Sequence, residues 1–135
     1  MKIAECMTSN VEVVRPDASI QYAARKMLEA DAGSIPVCDG KRLLGMITDR
    51  DIAIRAVAKG RGPDTPVSEI MTDDLLFCYE DQDIAEVARQ MGERQVRRLP
   101  VVSRDKDLVG IVSLGDISQS GEGDAAEMAL EGVSS

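Results

Sequence analysis

The fold of this chain follows from residues 43–54, which read LLGMITDRDIAI. Apolar residues fill the stretch up to Ile47, as expected of a buried strand. Thr48 and Asp51 then have the Ser/Thr-x-x-Asp spacing of a helix start. The first N–H groups of a helix have no partner within the helix and carry the positive end of its dipole, so they suit an anion. Thr48 and Asp51 are therefore candidate binding residues, although ordinary helix capping explains the same spacing.

The pattern occurs a second time at residues 108–117, which read LVGIVSLGDI. The glycine, the apolar run, the hydroxyl residue and the acid three positions later all return. Ser113 and Asp116 take the places of Thr48 and Asp51. A repeated strand-to-helix transition favours two related units over one accidental capping motif.

The preceding segments also repeat in the same order, with each member 64 residues after its counterpart. Both copies begin with a short helical turn that ends in Met-Thr, at residues 3–8 and 67–72. Short strands are predicted at 11–14 and 75–78, and strands containing a proline at 33–38 and 97–102. Each copy therefore predicts the element order β-α-β-β-α.

A helix is predicted between the first two strands of each copy, capped by Ser19 in one and by Asp83 in the other. Apolar residues at helical spacing indicate the face that packs on the core. In the first helix this face comprises Ile20, Ala23, Ala24, Met27 and Leu28, and in the second Ile84, Val87, Ala88 and Met91.

Length and composition restrict the class of protein. The 135 residues have room for one compact domain, or for two half-domains with a shared core. A net charge of −8 argues against a nucleic-acid-binding surface, which is usually basic. No apolar run approaches the roughly 20 residues that span a membrane, and the start lacks a signal-peptide pattern. We expect a cytoplasmic protein without a membrane partner.

The three cysteines are odd in number and widely spaced, and the chain contains no histidine. A zinc site therefore has little to build on, and buried reduced thiols are the expected state of Cys6, Cys38 and Cys78.

Two units with these motifs, in this order and at this separation, closely resemble a tandem pair of cystathionine-β-synthase (CBS) domains, also called a Bateman module. The resemblance extends from Ile3 to about Ser118, and the chain also looks like the stand-alone bacterial members of the family, including hypoxic-response proteins. It implies an α/β (α+β) fold in which two β-α-β-β-α repeats pack with pseudo-twofold symmetry into one module. Repeat 1 is expected at 1–60, a linker at 61–66 and repeat 2 at 67–118. We expect residues 119–135 to form an acidic, flexible tail, with a short helix at 125–130 as the alternative.

The resemblance also implies two clefts that bind an adenosine-containing ligand such as AMP, ADP or ATP. The Asp of each motif would bond the ribose hydroxyls, and the Thr or Ser would meet phosphate. One cleft would use Thr48, Arg50 and Asp51 with Leu75, Val96 and Arg98, and the other Ser113 and Asp116 with Val11, Ala32 and Ser34. Because the first set contains the arginines, we expect it to prefer phosphorylated ligands.

Three functions remain open at this stage. The leading hypothesis is a non-enzymatic sensor that needs no cofactor, binds an adenine nucleotide, forms a homodimer and signals to a regulated protein. S-Adenosylmethionine and NAD are alternative ligands. A ligand-free structural or redox-responsive interaction protein is the second hypothesis, and an enzyme is disfavoured because no catalytic motif is present.

Overall fold

The computed structural model describes residues 1–120, which form two compact units. One unit consists of Glu12–Leu75, and the other of Met1–Val11 together with the chain from Leu76 onward. We call them the Thr48 unit and the Ser113 unit, after the hydroxyl residue of the motif that each contains. The tail predicted at 119–135, with its possible helix at 125–130, lies almost wholly outside the described residues.

The Thr48 unit contains helix α1 (Ile20–Ala30), strands β1 (Ser34–Asp39) and β2 (Arg42–Thr48), and a helical run that begins with α2 (Asp49–Asp51). This run continues as a π-helical turn, Ile52–Ala56, and a 3₁₀ turn, Val57–Lys59. Strands β1 and β2 pair antiparallel, with Ser34 opposite Thr48.

The Ser113 unit contains β3 (Cys78–Tyr79), α3 (Ile84–Arg94), β4 (Arg98–Val102), β5 (Leu108–Ser113) and α4 (Leu114–Gln119). Strand β3 is parallel to β4, and β4 is antiparallel to β5. The predicted order β-α-β-β-α is confirmed in this unit.

The predicted helix caps are present. The Ser19 hydroxyl accepts a hydrogen bond from the N–H of Tyr22 at 3.1 Å, and the Asp83 carboxylate accepts one from Ala85 at 2.9 Å. The four apolar residues predicted for the buried face of α3 are all buried. In α1, however, Ala24 is exposed and Leu28 is 81% exposed, so the predicted face was too wide. Ile20, Ala23 and Met27 form the buried stripe. Ala24 and Leu28 lie one and two steps of four residues after Ile20, and each step turns about 40° around the helix, away from the stripe.

The first strand of each copy is shorter than predicted. Of residues 11–14, Val14 alone makes a bridge, to Val37, and the strand predicted at 75–78 begins only at Cys78. The cause is the proline in the neighbouring strand. Val14 donates its N–H to the Pro36 carbonyl at 3.0 Å, but the next bond toward the N-terminus would need an N–H from Pro36 itself. Pro100 imposes the same limit in the Ser113 unit.

The compact units do not coincide with the sequence repeats. Residues 67–72, which open the second repeat, belong to the Thr48 unit, and residues 3–8, which open the first, belong to the Ser113 unit. We call these two segments the straps. Thr72 exchanges backbone hydrogen bonds of 2.8 and 2.9 Å with Met46 of β2, and Thr8 exchanges bonds of the same lengths with Ile111 of β5. Each strap thereby pairs with a strand edge, while the division at 61–66 stays a prediction about the sequence repeats.

Each strap also adds apolar side chains to the core of its unit. Ile3 is fully buried in the cluster of the Ser113 unit, and Val67 and Ile70 are buried in that of the Thr48 unit. The close approach depends on Gly45 and Gly110. A Cβ on Gly110 would lie 2.7 Å from the Thr8 carbonyl oxygen, and one on Gly45 would lie 2.7 Å from that of Thr72.

We predict that Gly110→Ala lowers the free energy of unfolding by about 1–3 kcal/mol, because the added methyl must displace the strap from β5. Denaturant unfolding measures this change. Gly62→Ala is the matched control, since a Cβ there meets nothing within 4 Å. Equal stability of the two variants would contradict the close packing of the strap.

Candidate functional site

Strand β2 ends at Thr48, which is also the N-cap of α2. The Thr48 hydroxyl accepts a hydrogen bond from the Asp51 N–H at 3.0 Å, and Asp51 Oδ2 accepts one from the Thr48 N–H at 3.1 Å. This reciprocal pair is a capping box, which satisfies two backbone donors at the helix start. The structure therefore confirms the helix start that the motif predicts, and Asp51 has a capping role whether or not a ligand binds.

Strand β5 ends in the same way at Ser113. The Ser113 hydroxyl accepts from the Asp116 N–H at 3.1 Å, and Asp116 Oδ2 accepts from the Ser113 N–H at 2.9 Å. All four side chains are half-buried. Each unit thus presents a hydroxyl and a carboxylate, partly accessible to solvent, at the N-terminus of a helix.

Four other predicted site residues belong to the Thr48 unit: Ala32, Ser34, Arg50 and Leu75. Ser34 is half-buried opposite Thr48 in the β1–β2 pair, and Ala32 precedes β1. Arg50 is exposed in the first turn of α2, and half-buried Leu75 is the last residue of the unit.

In the Ser113 unit, Arg98 is exposed and lies opposite Ser113 in the β4–β5 pair. The carbonyl of Arg97 accepts a hydrogen bond from the N–H of Leu114 at 3.1 Å, which fixes the start of α4 beside β4. Val96 is half-buried against the core of the unit, and Val11 is also half-buried.

The predicted sets therefore divide between the two units. Thr48 and Asp51 share a unit with Leu75, while Val96 and Arg98 belong to the other. Ser113 and Asp116 share a unit with Val11, while Ala32 and Ser34 belong to the other. Both predicted clefts join residues of different units, and these combinations stay predictions.

Two neighbours of the carboxylates were not predicted. The Thr72 hydroxyl lies 3.5 Å from both carboxylate oxygens of Asp51. In the Ser113 unit, the pKa of the Cys6 thiol is raised, first by burial and then by the Asp116 and Glu5 carboxylates. Both residues lie in the straps, so the repeated Met-Thr ending was the available signal, but the sequence did not show which unit each strap joins.

The three thiols are free, and two are buried. Burial raises the pKa of Cys38 to about 11, and burial together with Cys6 raises the pKa of Cys78 to about 12. A nucleophilic or metal-binding cysteine instead needs a lowered pKa. Residues 1–120 contain no cluster of three or more side chains suited to hold a metal ion.

Comparison with known proteins identifies the family. The model of the CBS domain matches the chain twice, at residues 3–57 and 67–122. The chain belongs to the CBS domain family. It is 42% identical to the CBS domain-containing protein YhcV of Bacillus subtilis (strain 168) over 116 residues, which are 86% of this chain and 82% of YhcV. The expected family and its α+β fold are both confirmed.

Solved CBS structures show the same fold. Hypoxic response protein I, with two coordinated zinc ions, superposes with a TM-score of 0.78 at 37% identity and covers 88% of this chain and 98% of its own. CBSX2 in complex with AMP gives 0.78 at 26% identity over 91% and 97% of the two chains. The CBS domain pair of MJ0100, with 5′-methylthioadenosine and S-adenosylmethionine, gives 0.74 at 28% over 89% and 98%.

Among the helices of residues 1–120, none combines the length and the apolar character needed to cross a bilayer.

The thiol environments predict an order of chemical modification. At pH 8, a maleimide should label Cys6 first, because it is half-buried while Cys38 and Cys78 are buried and protonated. Peptide mass spectrometry of the native protein over time measures the order, with urea-unfolded protein as the control in which all three react. Labelling of Cys38 or Cys78 as fast as Cys6 would contradict the structure.

The raised pKa values of the two buried thiols also determine the direction in which the stability of the fold changes with pH. The pKa values of Cys38 and Cys78 in the folded protein, about 11 and about 12, lie above those of free thiols. Their contribution to stability is therefore complete below about pH 8.5 and is lost as the pH rises through the folded values.

Proposed function

We propose that this chain is a non-enzymatic regulatory module that binds an adenosine-containing ligand at the Thr48–Asp51 and Ser113–Asp116 helix starts. Its signal would pass to a partner protein. The observation that carries this proposal is the duplicated hydroxyl–carboxylate pair, half-buried at a helix N-terminus in both units. CBSX2 and MJ0100, which share this fold, hold AMP, 5′-methylthioadenosine and S-adenosylmethionine.

The chemistry of the two motifs suits such a ligand. An ionised carboxylate accepts hydrogen bonds only, and its two oxygens match the two hydroxyls of a ribose. Each Asp carboxylate uses one oxygen, Oδ2, for the capping bond. Because a carboxylate has about four lone-pair sites, both oxygens can still accept a hydrogen bond from a hydroxyl donor.

Two arginines can supply charge for a phosphate group. Arg50 and Arg98 are exposed, and neither forms an ion pair within residues 1–120. A guanidinium binds a phosphate through two parallel hydrogen bonds, so each of these side chains favours a nucleotide over a nucleoside. AMP, ADP and ATP are therefore the leading ligands, with S-adenosylmethionine and NAD as alternatives.

A regulatory role requires more than binding. A ligand shifts an equilibrium between two arrangements of a protein only when it binds one of them more tightly. The regulated partner would then respond to the change in population.

The proposal predicts a thermal shift. A ligand at 100 times its dissociation constant stabilises the fold by about 2.7 kcal/mol, which raises the unfolding midpoint by several degrees. We expect this rise with at least one of AMP, ADP, ATP, S-adenosylmethionine and NAD. Asp51→Asn or Asp116→Asn should abolish it, because the amide keeps the capping acceptor but loses the charge.

Asp64→Asn is the matched control, since Asp64 is an exposed carboxylate in the Thr48 unit outside the motif. If no compound moves the midpoint, the module does not bind this class of ligand. If both motif variants keep the full shift, the ligand binds elsewhere.

We also propose that the chain forms a homodimer through the helical run that follows Thr48. Val57 is 67% exposed and Ile54 51% exposed, three positions apart, whereas Ile52 packs against the core. Adjacent large apolar side chains on a surface are typical of an interaction site.

Light scattering should give the unaltered chain a mass twice its 14.6 kDa. Val57→Lys should return it to the monomer because a charge would enter the interface. Gln21→Lys places the same charge on exposed α1 and should leave the dimer intact. A monomeric unaltered chain, or a dimer that tolerates Val57→Lys, would contradict the proposal.

A further inference from the structure

The helical run after Thr48 holds its strap through two polar side chains one turn apart. The Arg55 guanidinium donates to the carbonyls of Ile70 and Met71, both at 3.0 Å. Asp51 faces the next residue, where the Thr72 hydroxyl lies 3.5 Å from each carboxylate oxygen. The carboxylate of the candidate site and the end of the strap are therefore neighbours.

The position of Thr72 is set by its backbone. Its N–H and carbonyl both pair with Met46, two residues before Thr48, and its carbonyl oxygen lies 2.7 Å from where a Cβ on Gly45 would be. The hydrogen bonds from Arg55 hold Ile70 and Met71, the two residues that precede Thr72. The hydroxyl of Thr72 is thus held beside Asp51 by contacts that do not involve the carboxylate.

The Thr72 hydroxyl is accessible from solvent. A distance of 3.5 Å is long for a hydrogen bond between two oxygens, and Thr72 is exposed. A hydroxyl can donate one hydrogen bond and accept others. A side-chain shift of a few tenths of an ångström would let Thr72 donate to Asp51 and orient the carboxylate, while its own oxygen accepts a bond from a second hydroxyl.

The Ser113 unit lacks this arrangement. Thr8 has the same backbone pairing, with Ile111, but within residues 1–120 its side chain makes no hydrogen bond to Asp116. The strap residue beside Asp116 is instead Cys6, whose thiol pKa is raised by burial and then by the Asp116 carboxylate, and a thiol is a weaker donor than a hydroxyl. The two carboxylates therefore have different neighbours although their capping boxes match.

We infer that Thr72 is a positioning residue that orients the Asp51 carboxylate toward the ribose hydroxyls of the ligand and distinguishes this site from that of Asp116. This inference rests on the proposed function. It adds that recognition of the ribose depends on the strap as well as on the motif.

The test is calorimetric titration with AMP and with 2′,3′-dideoxy-AMP, which lacks both ribose hydroxyls. Thr72→Val removes the hydroxyl with little change of shape and should weaken AMP binding roughly tenfold, the cost of one hydrogen bond to a charged group. Binding of the dideoxy compound should change far less. Thr72→Ser should restore most of the affinity, and Thr8→Val is the matched control in the other strap.

The outcomes separate the two proposals. If the unaltered chain binds neither AMP nor the other nucleotides, the proposed function fails and this inference fails with it. If the unaltered chain binds AMP and Thr72→Val binds it equally well, only the inference fails. An equal loss for AMP and the dideoxy compound would also overturn it, because Thr72 would then support the fold rather than the carboxylate.

Discussion

Each unit of this protein depends on one close approach between a strap and a strand edge. At Gly45 and at Gly110 the strap backbone comes so near that any Cβ would collide with a carbonyl oxygen. The approach places Thr72 beside β2 and Thr8 beside β5, where each completes a pair of backbone hydrogen bonds. Those bonds satisfy the edges of the strands that lead directly into the two capping boxes. The strand, the helix start and the strap therefore form one connected arrangement, which occurs in both units.

The hydroxyl and the carboxylate of each capping box stabilise the helix start and are also the groups of the candidate site. A cap of this kind contributes about 1 kcal/mol to stability, so the hydroxyl and the acid have a structural reason to be present without any ligand. The capping bond engages only Oδ2 of each Asp, however, and both side chains remain half-buried rather than buried. The capping bonds to Thr48 and Ser113 hold Asp51 and Asp116 at the two helix starts without a ligand, which would lower the entropy cost of the proposed binding.

The sequence predicted those features that depend on local pattern. The duplicated motif located both strand-to-helix transitions, and the apolar spacing in α3 gave its buried face correctly. Prediction from the sequence failed where a segment far away in the chain determines the local structure. Pro36 shortens the strand before it because a missing N–H acts across strands. The buried face of α1 was predicted too wide, as far as Leu28, because the helix pattern alone does not show how much of that face the rest of the unit covers.

For the same reason, the sequence could not predict that each strap packs in the unit of the other repeat. Repeats align residue by residue, but alignment does not show that residues 67–72 join the Thr48 unit and residues 3–8 the Ser113 unit. The Thr72–Asp51 contact follows from that exchange, so it could be found only in three dimensions. The proposed class of ligand rests on similarity to other CBS proteins, and the proposed difference between the two sites rests on the side chains of this chain.

The central claim is that the two capped helix starts are ligand sites, and backbone amide NMR tests it most directly. Titration of ¹⁵N-labelled protein with AMP should shift the amide signals of Thr48 and Asp51, of Ser113 and Asp116, or of both pairs. These signals report the N–H groups that complete the capping boxes. Saturable shifts confined to those helix starts are the predicted result. Saturable shifts elsewhere, with these four signals unchanged, would show that the motifs serve the fold alone.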